Sequence, residues 1–198
     1  MTFLKRALPL AAFTLCFAPG VALAHTGLGA THGFSDGFGH PVSGLDHIVA
    51  MVGVGFLAAR IGGRALWLVP LAFVTMMAMG GLIGMAGVGL PFVEAGIAAS
   101  VLVLGLAIAA RVPLPAVGTA LLVGFFALFH GHAHGAEMPA NASGLAFGMG
   151  FVMATAALHA AGIGLAIGLD WVANSPRIAQ AAGGAMALAG IGLLVGAI

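Results

Sequence analysis

Two imidazoles and a carboxylate fall within the run His40-Pro41-Val42-Ser43-Gly44-Leu45-Asp46-His47, where a Gly-rich polar stretch meets a long apolar segment. A second polar run, Phe129-His130-Gly131-His132-Ala133-His134-Gly135-Ala136-Glu137, closes another apolar segment. Imidazole nitrogen and carboxylate oxygen, with no thiolate beside them, favour Ni, Co, Zn or Cu(II) over Cu(I). If the helix continues through the second run, His130 and His134 stand one turn apart on one side, with Glu137 a further turn on. In the first run, His40 precedes Pro41 and is expected to be extended. Ser43, with Asp46 three residues later, predicts a helix cap. Asp46 and His47 then occupy the first helical turn, with His40 just above them. Glu94 begins a further apolar segment.

The elements that must hold these groups are membrane helices. The chain is 62% hydrophobic and 6% charged, with a mean hydropathy of +1.18, which excludes an ordinary water-soluble globule. Apolar runs long enough to cross a bilayer recur along it. The short alternating segments of a β-barrel are absent. No basic stripe points to nucleic acid, and the only lysine is Lys5. The expected fold is all-α: a polytopic helical membrane protein with six transmembrane helices after a cleaved signal peptide. Residues 1–24 form the signal, with Lys5 and Arg6 as its basic start and Ala22-Leu23-Ala24 as its cleavage site. Cys16 would leave with it. Residues 25–42 read as a Gly/His-rich extracytoplasmic tail, and 43–198 as the membrane domain. The spans fall at about 43–60, 66–86, 90–110, 113–131, 141–169 and 177–197. The fifth run exceeds what a bilayer needs, so it tilts or breaks at Gly162 or Gly164.

A cleaved signal places the mature N-terminus outside, and six spans return the C-terminus there. Arg60, Arg64, Arg111 and Arg177 then lie at the cytoplasmic connections, and the outer loops hold no Lys or Arg, as the positive-inside rule requires. Trp67 and Trp171 fall near the cytoplasmic interface. Gly80/Gly84, Gly164/Gly168 and Gly192/Gly196 have the four-residue spacing of close helix packing. Three spans followed by three would give halves of opposite orientation, as in inverted-repeat transporters.

That topology gathers the candidate metal ligands on the outer side: His25, His32, His40, Asp46, His47, Glu94, His130, His132, His134 and Glu137, with Asp36 near them. His159 is the imidazole near the midplane, a deeper relay or part of an inner site, and Asp170 is the carboxylate inside. Plainer accounts stand beside these. Asp46 can serve only as a cap, and Glu94, after Pro91, only as a first-turn carboxylate favoured by the helix dipole. His25, His32 and His132 can be ordinary exposed residues. His159 can simply hydrogen-bond across helices. The methionines, Met51 included, suit packing better than ligation.

His-Pro-x-x-Gly-x-Asp-His at 40–47, continuing into Ala50-Met51, resembles the first signature of the HupE/UreJ family. Phe-His-Gly-His-Ala-His-Gly-Ala-Glu-Met-Pro at 129–139 is similar to its second, and Gly-Gly-Arg-Ala-Leu-Trp at 62–67 is similar too. The resemblance covers nearly the whole chain. It implies a permease that brings nickel, and in some members cobalt, into cells for hydrogenase or urease. It also implies that His40, Asp46 and His47 are the metal-handling core, with His130, His134 and Glu137 matching the second signature.

The expected function is therefore Ni²⁺ import across a bacterial-type inner membrane, with cobalt and zinc left open as cargo. No organic cofactor is expected, and no catalysis. The mature chain has no lysine and no phosphate-binding Gly-x-x-x-x-Gly-Lys-Ser/Thr motif, so it would not itself hydrolyse ATP through a P-loop. Facilitated diffusion driven by the membrane potential is the simplest energetics. The partners expected are the lipid bilayer and the divalent ion. A homo-oligomer remains compatible with the chain, and intracellular nickel chaperones enter only indirectly. Ligation needs neutral imidazole, so uptake should weaken below about pH 6; undiminished uptake at pH 5 would count against it. The alternatives from other classes are a haem-binding membrane redox subunit with axial histidines and a metal-binding accessory protein that transports nothing.

Overall fold

The computed structural model describes residues 33–138, 144–173 and 175–197, without the side chains at 137, 172 and 173. The signal segment 1–24, His25, His32 and the side chain of Glu137 lie outside the described residues. What is described is all-helical. In chain order come α1 (Phe34–Gly39), a 3-10 turn (His40–Val42), α2 (Leu45–Ile61), α3 (Ala65–Met85), α4 (Val93–Ala109), α5 (Ala116–Glu137), α6 (Gly144–Ala173) and α7 (Pro176–Leu194). Helices α2 to α7 fall on the six apolar runs of the sequence. In a bilayer the helix is the element that satisfies every backbone group within one segment, which is why such runs adopt it.

By length and composition, four of these helices can cross a membrane: α3, α5, α6 and α7. The number is five if the 34–42 segment and α2, which meet at 82°, form one broken span or re-entrant element. Helix α4, with 17 residues, is apolar but shorter. Helix α6 is unbroken over 30 residues, so the long fifth run does not break at Gly162 or Gly164.

Residues 34–42, the end of the stretch read as a Gly/His-rich tail, have regular structure. They are helical and lie on α6. A Cβ at Gly37 would collide with the Phe147 backbone, and one at Gly150 with the backbone of Phe34 and Phe38. Each glycine therefore admits the other helix's main chain.

The bundle is built from three such close pairs. Helix α3 meets α5 through Gly80, Gly81 and Gly84 on one side and Gly131 and Gly135 on the other. Helix α4 meets α7 through Gly105, Gly183 and Gly190. Helix α2 meets α6 through Gly55 and Gly162. Backbone approach of this kind replaces the hydrophobic drive that lipid does not supply. Of the pairs picked out by spacing, Gly80/Gly84 packs, whereas Gly164, Gly168 and Gly196 face open space. The pairing of first with fifth, second with fourth and third with sixth helix is unchanged when the two three-helix halves are exchanged. The likeness stops at these pairs, because the first helix also touches the second and third while, among the described residues, the fourth makes no comparable contact with the fifth or sixth.

Successive helices alternate in direction, so the bundle has two distinct ends. Arg60, Arg64, Arg111 and Arg177 mark one of them, with Trp67 and Trp171 exposed nearby. The His-rich runs mark the other.

Candidate metal-binding site

The His-rich end is assembled from three elements: the 3-10 turn, the start of α2 and the end of α5. The turn departs from expectation. His40 is not extended but right-handed helical (φ −61°, ψ −49°), and its N–H donates to the Asp36 carbonyl. The preference of a pre-proline residue for extended backbone is overridden because Pro41 is buried within the turn. Ser43 does not cap α2. Its hydroxyl donates to the His40 carbonyl at 2.6 Å, and Gly44 is the cap residue, in extended conformation. A Cβ on Gly44 would stand 2.7 Å from Asp46 Oδ1 and 3.0 Å from His47 Nδ1, so a larger residue there would press on that pair.

Asp46 and His47 bond to each other: His47 Nδ1 lies 2.8 Å from Asp46 Oδ2. With its proton held on Nδ1 by the carboxylate, the His47 ring carries its lone pair on Nε2. That atom is buried and has no partner among the described residues. Asp46 thus orients the His47 ring, the arrangement in which a carboxylate fixes the tautomer of a histidine at metal sites.

On α5 the motif divides by face. Gly131 and Gly135 press against the main chain of Met77 and Gly81 in α3. His130 and His134, one turn apart, turn into the bundle, and both are buried. His132 points elsewhere, with Nε2 lying 2.8 Å from the Val88 carbonyl beyond the end of α3. It is a structural hydrogen-bond donor and does not join the cluster.

Four imidazoles meet. The ring centroids are 5.1 Å apart for His47–His130, 4.4 Å for His47–His134 and 4.7 Å for His40–His134. Phe147 and Phe151 of α6 back His40, Phe151 also backs His134, and Phe73 of α3 backs His130. The unpartnered buried nitrogens among the described residues include His47 Nε2, His130 Nδ1 and both nitrogens of His134. Buried polar atoms are ordinarily satisfied, so this concentration marks the cluster as the candidate site. Still, no three His or carboxylate groups among the described residues are already set to hold one ion. The rings lie edge to face, and side-chain rotation has to aim their lone pairs at a common centre.

Ser100 of α4 is a participant that sequence reasoning missed. Its hydroxyl donates to the Ile97 carbonyl at 2.6 Å and lies 2.9 Å from His130 Nε2. With the hydroxyl proton committed to Ile97, Ser100 accepts from His130 Nε2–H, which leaves the Nδ1 lone pair available. The available signal was a lone hydroxyl inside an apolar helix, where polar side chains bridge neighbours.

Glu94 is exposed and outside the ring cluster, yet it lines a cavity of about 270 Å³ together with Asp46, Ile97, Ala98 and the end of α7. Two carboxylates from different helices therefore share one opening at the His end. A larger cavity, about 480 Å³, lies at the opposite end, where Arg60 and Arg111 line it without any histidine or carboxylate. It has no donor set for a cation. Asp170, at that end, accepts from Arg60 Nη1 at 2.6 and 2.7 Å.

The fold and this site define a helical membrane protein with an imidazole cluster at one end of its bundle, oriented by a carboxylate. The family model described as HupE / UreJ protein matches residues 13–193. Protein HupE of Rhizobium leguminosarum bv. viciae is 49% identical over 196 residues, covering 99% of this chain and 100% of that protein. The chain belongs to the HupE/UreJ family, as its two motifs imply. No solved structure matches it.

Proposed function

We propose that this chain is a permease that imports Ni²⁺, with Co²⁺ as the nearest alternative cargo, through the imidazole cluster at the His end of the bundle. The observation that carries this reading is the convergence of His47, His130 and His134, each with an unpartnered buried nitrogen, at the end opposite every arginine of the described residues. Imidazole ligation suits nickel and cobalt. The positive-inside rule supports an extracytoplasmic placement of the arginine-free end, where an imidazole site would meet incoming ions, and this supports import as the direction.

The ion is the substrate. The cavity bearing Glu94 and Asp46 receives it, and the two carboxylates lower the cost of shedding water. A single carboxylate about 5 Å from a doubly charged ion contributes roughly 7 kcal/mol at an effective dielectric of about 20. That is comparable to the effective penalty of several kcal/mol for burying an ion. His47, His130 and His134 then replace water as ligands, with Asp46 and Ser100 holding two of the three rings in the ligating tautomer. His40 and the tail histidines His25 and His32 would raise the local metal concentration, and Glu137 adds a carboxylate at the same helix end. A haem reading fits poorly, because the imidazoles touch one another and leave no slot for a porphyrin between them.

The test is nickel uptake by nickel-limited cells, comparing the wild type with Asp46→Asn and His47→Ala at matched membrane levels. Uptake by the wild type that both changes abolish is the expected result. Wild-type accumulation no greater than that of cells lacking the protein would remove the import reading.

A further inference from the structure

His159 lies in the middle of α6 and is 2% exposed, and the cluster at the end of the bundle does not include it. Its backbone is pinned, since a Cβ on Gly55 of α2 would overlap the His159 carbonyl. Its ring is therefore held at a set depth. Both ring nitrogens are buried without a partner among the described residues, so the plain account of a histidine hydrogen-bonding across helices does not apply. The surroundings are not inert. Thr155, one turn earlier on the same face, donates to Met77 Sδ at 3.8 Å, which leaves its oxygen lone pairs available. Phe73 stands edge-on to the His159 ring at 5.0 Å and contacts the His130 ring at 5.7 Å. A single buried aromatic ring thus separates His159 from the outer cluster. Phe151, which touches His40 and His134, is about 12 Å further up the same helix at the usual rise per residue.

We propose that His159, one turn from Thr155 on the same face of α6, is an inner binding position for the divalent cation, separated from the outer imidazole cluster by the ring of Phe73. One imidazole and a hydroxyl make a poorer ligand set than the cluster, and the ion keeps part of its water there. Weak, successive positions are what conduction requires, because an ion held too tightly does not leave. The proposal rests on the metal-import reading for its direction, but its test does not.

Nickel is titrated into the purified full chain in lipid nanodiscs, for the wild type, His159→Ala, His134→Ala and the volume-retaining His159→Phe. Initial uptake is then followed in liposomes. Both His159 variants are expected to lose the weaker binding step and keep the outer one within about twofold, since distant sites act independently. Their uptake should fall about tenfold or more, the scale on which metal sites respond to the loss of a supporting group. His159→Cys, which restores a ligating side chain, should recover the weaker step. His134→Ala should weaken the tighter step and leave the weaker one. Isotherms of both His159 variants identical to that of the wild type would overturn the proposal, whatever uptake does. Binding without any wild-type uptake would overturn the import reading alone.

Discussion

The two ends of the bundle treat their polar groups in opposite ways. At the arginine end, Arg60 on α2 and Asp170 on α6 satisfy each other through two hydrogen bonds, and the Gln180 side chain of α7 donates to the Ala109 carbonyl of α4. At the histidine end, several buried imidazole nitrogens are left without partners among the described residues. Satisfied groups hold helices together. Unsatisfied ones cost stability, roughly 1–3 kcal/mol for each buried donor or acceptor, and the proposed ion would offset that cost. The same contrast runs through a single motif: His132 is tied to the Val88 carbonyl, while His130 and His134, two residues to either side, are aimed at the cluster.

Substitutions that empty the cluster should break this contrast most severely. His47→Ala and His134→Ala should each lower initial nickel uptake by about a hundredfold at matched membrane levels, in the upper range for loss of a group supporting a metal site. Gly131→Leu should act through the fold instead. Its side chain would have to enter the Met77 main chain of α3, and overpacking of this kind costs about 1–3 kcal/mol or more. The expected readout is a lower unfolding temperature in detergent. Ser100→Ala should leave the protein folded but free the His130 tautomer, weakening nickel affinity about tenfold by titration. His132→Ala should cost about 1 kcal/mol of stability and leave uptake within about twofold of the wild type. Smallest of all, Arg60→Ala should change stability by no more than about 1 kcal/mol, because the Asp170 side chain is 60% exposed and solvent screens the pair.

The helices were legible in the chain because apolar runs of bilayer length leave little choice of structure. Both His-rich motifs could be read as candidate ligand sets from residue type and spacing alone, and the structure brings His40, His47, His130 and His134 together. Other features depended on three-dimensional neighbours. The helix at 34–42 was hidden because it is short and Gly-rich, and it gains its stability from α6, more than a hundred residues on. Asp46 could be read as ligand or cap, and its orienting role emerges only when its oxygen is found on His47 Nδ1. Ser100 and Phe73 look like ordinary members of apolar helices until His130 is placed beside them. His132 carries the same side chain as its neighbours, and only the position of the Val88 carbonyl separates it from them.

The most direct measurement of the central claim uses that last contrast. Initial rates of radiolabelled nickel entry would be compared for the wild type, His134→Ala and His132→Ala, reconstituted in liposomes at equal protein density. The account predicts entry by the wild type and by His132→Ala, and almost none by His134→Ala. Equal losses in the two variants, or equal retention, would contradict it.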